Sequence, residues 1–312
     1  MPGARTNLRL TGALCICAAV AISSTLDALM KWLSGAYPIH ELMVVRCLVG
    51  FPLFVLYILY EGGLAGFRPP HLSFILLRGL ILASANLAFY LAIAAIPIAD
   101  AVSIYFAMPF FVAALVAPVL GERVLPHRWY AIIAGFLGVL VMIRPGQGVF
   151  EPAALLALWS ALGYAIGQAM SRPLAGLVPS SVMAFYQNVV YFVVAVVLAA
   201  VFARGGFEGA LHPSLRFLSI PWTVPQAFDI LLMVAFGVFS AAVMPLFVHA
   251  YKIAEVNFVA PFEYTAMFWA VMWGAALFGD FPDGFTWLGA AIVIGAGLFM
   301  VHMDRVYRAR SA

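Results

Sequence analysis

Few side chains in this sequence can do chemistry, and most of those that can stand inside long apolar runs: Asp27, Lys31, Arg46, Asn86, Asp100, Gln168, Gln187, Asn188, His249, Glu255 and Glu263. The carboxylates and the imidazole can take up and release protons, while the guanidinium and ammonium groups can hold anionic or electron-rich partners. Aromatic rings accompany them at helical spacing. Asn86 and Tyr90 are four apart, as are Tyr105 and Pro109, and Tyr164 and Gln168 follow Trp159. Four-residue spacing puts Asn86 with Tyr90, and Tyr164 with Gln168, on common helix faces, where a ring and a hydrogen-bonding group meet a flat ligand or simply pack.

Each charged candidate has a structural and a functional reading. Asp27 lies four residues before Lys31, so the two share a helix face and can pair locally, unless Lys31 snorkels to an interface. Arg46 either pairs with Asp27 or Glu41 and ties the first two apolar runs together, or meets an anionic or electron-rich part of a substrate. Glu263 follows Pro261, which removes a helical hydrogen bond, and precedes Tyr264. An acid there can titrate, bind a cationic group, or hold a neighbouring helix. His249, close to Lys252 and Glu255, reads as an interfacial residue or a proton relay. Cys15, Cys17 and Cys47 lie in apolar stretches without metal-ligand spacing, so they read as small core residues. Neither a metal nor another cofactor is expected. No Walker-type glycine loop and no Gly-x-Ser-x-Gly motif occurs, so the chemistry expected is binding and proton movement rather than catalysis.

The elements that must position these groups follow from composition. Of 312 residues, 65% are hydrophobic and 9% charged, against roughly 25% charged in a soluble domain. Such a chain is an all-α polytopic membrane protein. Runs of spanning length lie near 10–33, 42–60, 72–94, 98–120, 128–143, 152–172, 181–203, 228–250, 256–278 and 285–303, which makes ten expected spans. A charge at the centre of a bilayer costs roughly 2.5 to 3.5 kcal/mol on insertion scales, so the polar groups within these runs are functional candidates. Arg5, Arg9 and the apolar run that follows resemble a secretory signal, but the run continues to Leu33 and is read as the first span.

With the N-terminus in the cytoplasm, eleven basic residues fall on the inner side: Arg5, Arg9, Arg68, Arg78, Arg123, Arg128, Arg172, Lys252, Arg305, Arg308 and Arg310. Only Arg144, Arg204 and Arg216 then lie outside. The positive-inside rule therefore predicts that both termini are cytoplasmic, and the location expected is a bacterial inner membrane. A net charge of +3, scattered along the chain, gives no nucleic-acid surface. The expected partners are a small-molecule metabolite and the lipid bilayer, with a homodimer left open.

An internal repeat is visible at constant offset. Shifted by 158, Phe110, Gly121, Glu122, Trp129, Leu140 and Met142 fall on Phe268, Gly279, Asp280, Trp287, Leu298 and Met300. A weaker match at 141 superimposes Ala28, Lys31, Leu33 and Gly35 on Ala169, Arg172, Leu174 and Gly176, with Arg46 over Gln187. Two halves are thus expected, 1–148 and 149–312, each of five spans. An odd number of spans inverts the second half, and inverted repeats allow one central site to be exposed alternately to each side. Gly121-Glu122 and Gly279-Asp280 read as caps and turns at span ends.

The stretch Ala99-Asp100-Ala101 through Met108-Pro109-Phe110 to Leu120-Gly121-Glu122-Arg123, closed by Arg144-Pro145-Gly146, resembles the EamA repeat of the drug/metabolite transporter superfamily. The second copy, Ala260-Pro261-Phe262-Glu263-Tyr264 through Phe278-Gly279-Asp280-Phe281-Pro282-Asp283, resembles the branch that takes up riboflavin or S-adenosylmethionine, as does Asp27-Ala28-Leu29-Met30-Lys31. It departs from the usual repeat at Met267, where the first copy has Pro109. The resemblance implies a cavity lined by the first, third, fourth, sixth, eighth and ninth spans, and secondary transport of a small metabolite. Uptake of riboflavin or a similar heterocycle is the first expectation, with S-adenosylmethionine uptake or metabolite or drug efflux as alternatives. A membrane-embedded enzyme or sensor is the reading from another class. The expected substrate contacts are Arg46, Asn86, Tyr90, Tyr105, Tyr164, Gln168, Glu263 and Tyr264, with Asp27, Lys31 and His249 in a coupling or structural network.

Overall fold

The computed structural model describes residues 2–61, 67–120, 126–144, 151–174, 176–202, 204, 212–254 and 256–311, and among these it is helical throughout its ordered elements, with no strand. The helices in chain order are α1 (Pro2–Leu33), α2 (Ile39–Glu61), α3 (Leu72–Ile93), α4 (Ile98–Tyr105), α5 (Met108–Leu120), α6 (Pro126–Ile143) and α7 (Ala153–Ser171). They continue as α8 (Ser180–Phe202), the short α9 (Pro213–Ser219), α10 (Ala227–Ile253), α11 (Val256–Val259), α12 (Thr265–Trp273) and α13 (Gly284–Ser311). Nine segments among the described residues are long and apolar enough to cross a membrane, the fourth running through α4 and α5. The protein is a polytopic helical membrane protein.

The boundaries have local causes. Pro38 sits just before α2 and Pro97 just before α4, where a missing N–H costs nothing. Two apolar runs are broken. The first interrupts between Tyr105 and Met108, and Pro109 stands at the start of the resuming helix. The run over 256–278 is helical only in pieces: α11, a 3-10 turn at Ala260–Tyr264 with Pro261 near its start, α12, and a π turn at Gly274–Phe278. Gly279 then adopts the left-handed conformation at φ 69°, and the backbone N–H of Asp280 donates to the Gly274 carbonyl at 3.0 Å. This fragmentation is why the tenth expected span does not stand as one helix. The second copy carries its irregularity at Pro261 rather than at Met267, which is buried in α12.

Packing depends on small residues, as expected where lipid removes the hydrophobic drive between helices. On α7, Ala153, Ala157, Ala161 and Ala165 are fully buried at four-residue spacing. Gly163 and Gly167 let α3 approach. A Cβ on Gly163 would lie 2.7 Å from that of Ala85, and one on Gly167 2.5 Å from a methyl of Leu82.

The helix neighbours form a regular pattern. α3 lies along α7, and α1 lies along α10. α2 packs on α8, α10 packs on α2, and α3 packs on α8. α5 meets α7 as α12 meets α1, α4 meets α12, and α6 pairs with α13. The long connection before α10 carries α9. Its Ser214 hydroxyl donates to the Leu91 carbonyl at 2.6 Å, so this loop is tied to the end of α3.

Candidate functional site

The central cluster is built on α2, α3, α4, α7, α8 and α10. Arg46, a half-buried residue on α2, donates from Nη1 to the side-chain oxygen of Asn86 on α3 at 3.2 Å. Its guanidinium carbon lies 5.4 Å from the ring of Tyr191 on α8 and 5.4 Å from that of Phe236 on α10, so the cation has an aromatic ring from each of two helices. Asn86 in turn donates from Nδ2 to the hydroxyl of Tyr164 on α7 at 3.3 Å. The Tyr164 ring meets Tyr105 edge-on at 5.6 Å, Tyr105 meets Phe89 at 5.7 Å, and Tyr90 meets Phe236 at 6.4 Å. Arg46, Asn86, Tyr90, Tyr105 and Tyr164 therefore come together in one aromatic cluster. Asp27 is half-buried on α1 and lies within electrostatic reach of Arg46.

Other expectations are corrected. Arg46 pairs with neither Asp27 nor Glu41: its hydrogen bond goes to Asn86, and Glu41 accepts from the Thr223 backbone N–H at 3.3 Å. Lys31 does not pair with Asp27. Its ammonium lies 3.1 Å from Asp280 and 2.9 Å from the Ile96 carbonyl, with the Phe278 ring at 5.0 Å. A carboxylate on a neighbouring helix end outcompetes one a turn away because the ammonium gains a backbone acceptor in the same place. Gln168 is exposed and makes no hydrogen bond to the cluster, and His249 is exposed on α10. Glu255 lies outside the described residues, as do Gly121, Glu122 and Arg123. Glu263 and Tyr264 occupy the 3-10 turn, both half-buried, and Tyr264 meets Phe106 edge-on at 5.1 Å.

Tyr191 and Phe236, which are not among the candidates named from the sequence, complete the arrangement together with Gln187. Tyr191 donates to the Leu82 carbonyl at 3.1 Å and accepts from Gln187 Nε2 at 3.0 Å. Gln187 accepts from Arg78 at 3.3 Å. Tyr191 stands four residues after Gln187, the same spacing that singled out Asn86 and Tyr90, and that signal could have found it. Phe236 carries no such signal, being one apolar residue among many on α10.

A second polar group closes one end of the bundle. Besides Lys31 with Asp280, Arg144 at the end of α6 pairs with Asp283, and the Thr286 hydroxyl on α13 donates to Asp100 on α4 at 2.9 Å. Burial pushes the Asp283 carboxyl up, but the hydrogen bonds from Arg144 and Thr286 outweigh this and hold it below the usual carboxylate range. The 279–286 stretch, which enters α13, is thus anchored to α1, α4 and α6, and Lys31 of α1 also reaches the carbonyl of Ile96 beyond α3.

Residues 10–144 match the EamA-like transporter family. A riboflavin transporter from Rhizobium johnstonii is 29% identical, covering 94% of this chain and 91% of the relative. An S-adenosylmethionine uptake transporter from Rickettsia prowazekii is 24% identical over 91% of this chain and 90% of its own, and a pseudopaline exporter from Pseudomonas aeruginosa is 26% identical over 88% and 89%. A solved crystal structure shares the fold at a TM-score of 0.63, covering 95% of this chain and 99% of the other at 19% identity.

Proposed function

We propose that this chain is a secondary carrier of a small heterocyclic metabolite that works by alternating access rather than as an enzyme, a reading supported by the match of residues 10–144 to the EamA-like transporter family. The observation that carries the reading is the Arg46 site, a guanidinium held between the rings of Tyr191 and Phe236 and tied to Asn86. A cation and an amide set among flat rings suit a flat ligand with carbonyl or ring-nitrogen acceptors. Riboflavin fits that description, and the Rhizobium relative is a riboflavin transporter. S-adenosylmethionine is the second substrate reading, resting on the Rickettsia relative. Import is the proposed direction, with export, as in the pseudopaline relative, the alternative.

The machinery consists of ten spans in two inverted halves, 1–148 and 149–312. The helix neighbours support this, because they map onto themselves when the halves are exchanged. Replacing α1, α2, α3 by α7, α8, α10 turns the α3–α7 contact into α10–α1 and α2–α10 into α8–α3, while α2–α8 and α6–α13 map onto themselves. The backbone breaks agree. At the offset of 158, Tyr105, Phe106 and Ala107 fall on Glu263, Tyr264 and Thr265, where the 3-10 turn gives way to α12. Phe106 and Tyr264, equivalent by that offset, touch each other.

With both termini cytoplasmic in an inner membrane, the Lys31–Asp280 and Arg144–Asp283 pairs lie at the outer end and hold it shut. Opening towards the periplasm then requires the 279–286 connection to leave α1, α4 and α6, while the Arg46 cluster between the halves stays as the binding centre. Glu263, in the irregular turn of the moving half, is the residue proposed to couple protons or to hold a cationic group. A homodimer is not required by this scheme.

Uptake into proteoliposomes, offered riboflavin, S-adenosylmethionine and amino acids separately, with and without a pH gradient, tests the proposal. Saturable riboflavin uptake that exceeds protein-free liposomes is the expected result. Uptake of none of these under any gradient sinks the substrate reading.

A further inference from the structure

Among the described residues, Arg78 is a buried arginine that the transport scheme above leaves unused. It sits six positions after the start of α3, roughly 9 Å along the helix axis, and is only 5% exposed. Its Nε donates to the Ser171 hydroxyl at 2.7 Å and the Gly167 carbonyl at 3.2 Å, and its Nη1 to Gln187 at 3.3 Å. All three acceptors are neutral. Among the described residues no carboxylate forms an ion pair with it, and its Nη2 group has no hydrogen-bond acceptor.

A guanidinium removed from water costs several kcal/mol unless an anion or a full set of acceptors compensates it. Three neutral acceptors engage two of its nitrogens and leave the fork half used. Asn86, which holds Arg46, lies eight residues further along α3, roughly 12 Å away along the axis. The two guanidinium groups are joined through Gln187 and Tyr191, whose ring lies beside Arg46. They make two cationic stations along one wall of the bundle, at different depths.

We propose that Arg78 is an oxyanion-binding residue on the inner half of the transport path, with Nη2 as the free donor and Gln187 and Ser171 fixing the plane of the guanidinium. The ligand is a carboxylate or phosphate group, carried on the transported molecule or present as a small free anion. The proposal rests on the carrier reading for its place in a path, while anion binding at Arg78 can be measured without any transport.

The experiment uses the full chain in lipid nanodiscs. Melting is followed against sodium sulfate and against sodium chloride at equal ionic strength, for wild type, Arg78→Gln and Arg78→Lys. Sulfate also strengthens burial generally, an effect common to all three proteins; the readout is the saturable part. The wild type is expected to show saturable stabilisation by sulfate, with a midpoint shifted about tenfold higher in Arg78→Gln and by several-fold in Arg78→Lys, whose ammonium lacks the fork. Riboflavin 5′-phosphate and riboflavin are then bound to the same proteins and followed by flavin fluorescence. Competition between the ester and sulfate identifies a ligand-borne group, and sulfate binding alongside the flavin identifies a free anion. Either supports the proposal. An identical sulfate response in wild type and in either variant overturns it, as does the absence of a saturable response in wild type. Where neither flavin binds but sulfate separates wild type from the variants, the flavin reading fails and the Arg78 assignment stands.

Discussion

Arg46→Ala is expected to lower transport roughly fiftyfold at equal protein abundance, because it removes two cation–π contacts and a hydrogen bond to Asn86 in a desolvated site. Arg46→Lys should recover only part of this. An ammonium keeps the charge but not the plane that lies between Tyr191 and Phe236. Glu263→Gln should also impair transport strongly, and the loss should be greatest under a proton gradient if the carboxyl titrates during the cycle. Glu122→Gln, read from the sequence as part of a turn, serves as the control and should stay within about twofold of wild type. Initial rates in proteoliposomes, normalised to protein, check all four. Wild-type rates for both Arg46→Ala and Glu263→Gln would defeat the site.

Reversing the charge at Asp280 should be nearly as damaging, and its cause can be isolated. Asp280→Lys brings a second ammonium group to the place where Lys31 now meets a carboxylate. The outer end is expected to stay open, and uptake to fall about tenfold. The reciprocal Lys31→Asp should fall similarly. Combining the two restores opposite charges, although the introduced carboxylate reaches less far than the Lys31 ammonium and loses the bond to the Ile96 carbonyl. Recovery of several-fold over either single variant is therefore expected, short of wild type. Both side chains are only partly exposed, at 13% and 31%, so the attraction is screened less than on an open surface. Additive losses in the double variant would mean that the two residues act independently and that no latch exists.

Much of the architecture was legible because hydropathy and length decide where a helix can cross a membrane. The apolar runs near 10–33, 72–94 and 181–203 reappear as Leu10–Leu33, Leu72–Ile93 and Ser180–Phe202. The run over 256–278 was the exception, since hydropathy registers apolar character and not whether the backbone stays α-helical through Pro261 and Gly274. Within a helix, four-residue spacing brought Asn86 and Tyr90 to light. Between helices the sequence was nearly silent. Lys31 meets Asp280 across 249 positions, whereas the i, i+4 rule offered only Asp27 as its partner. Phe236 became visible only once α10 was set beside α2, whereas Tyr191 had its spacing to Gln187 as a signal. Arg78 was counted as an inner-side charge because it lies near the start of its span, yet the close approach of α3 to α7 at Gly163 and Gly167 buries it.

Glycine and alanine thus explain both the fold and the polar cluster. Small residues on α7 let α3 come close enough for Asn86 to reach Tyr164 and for Arg78 to reach the Gly167 carbonyl. The same wall then carries the Arg46 cluster and the Arg78 contacts at two depths. In the proposed scheme the 279–286 stretch is released while that wall is kept. The contacts proposed to move are then those on α1, α4 and α6, and those proposed to stay are on α3 and α7.

Counterflow separates alternating-access transport from binding alone. Proteoliposomes preloaded with unlabelled riboflavin are diluted into a trace of labelled riboflavin with no ion gradient present. A carrier that exposes one site alternately to each side gives a transient overshoot of labelled compound inside, and the overshoot should disappear in Arg46→Ala. Label that never rises above passive equilibrium in the wild type, while riboflavin binding by the same protein is demonstrated, would contradict alternating-access transport and leave a binding protein or sensor in its place.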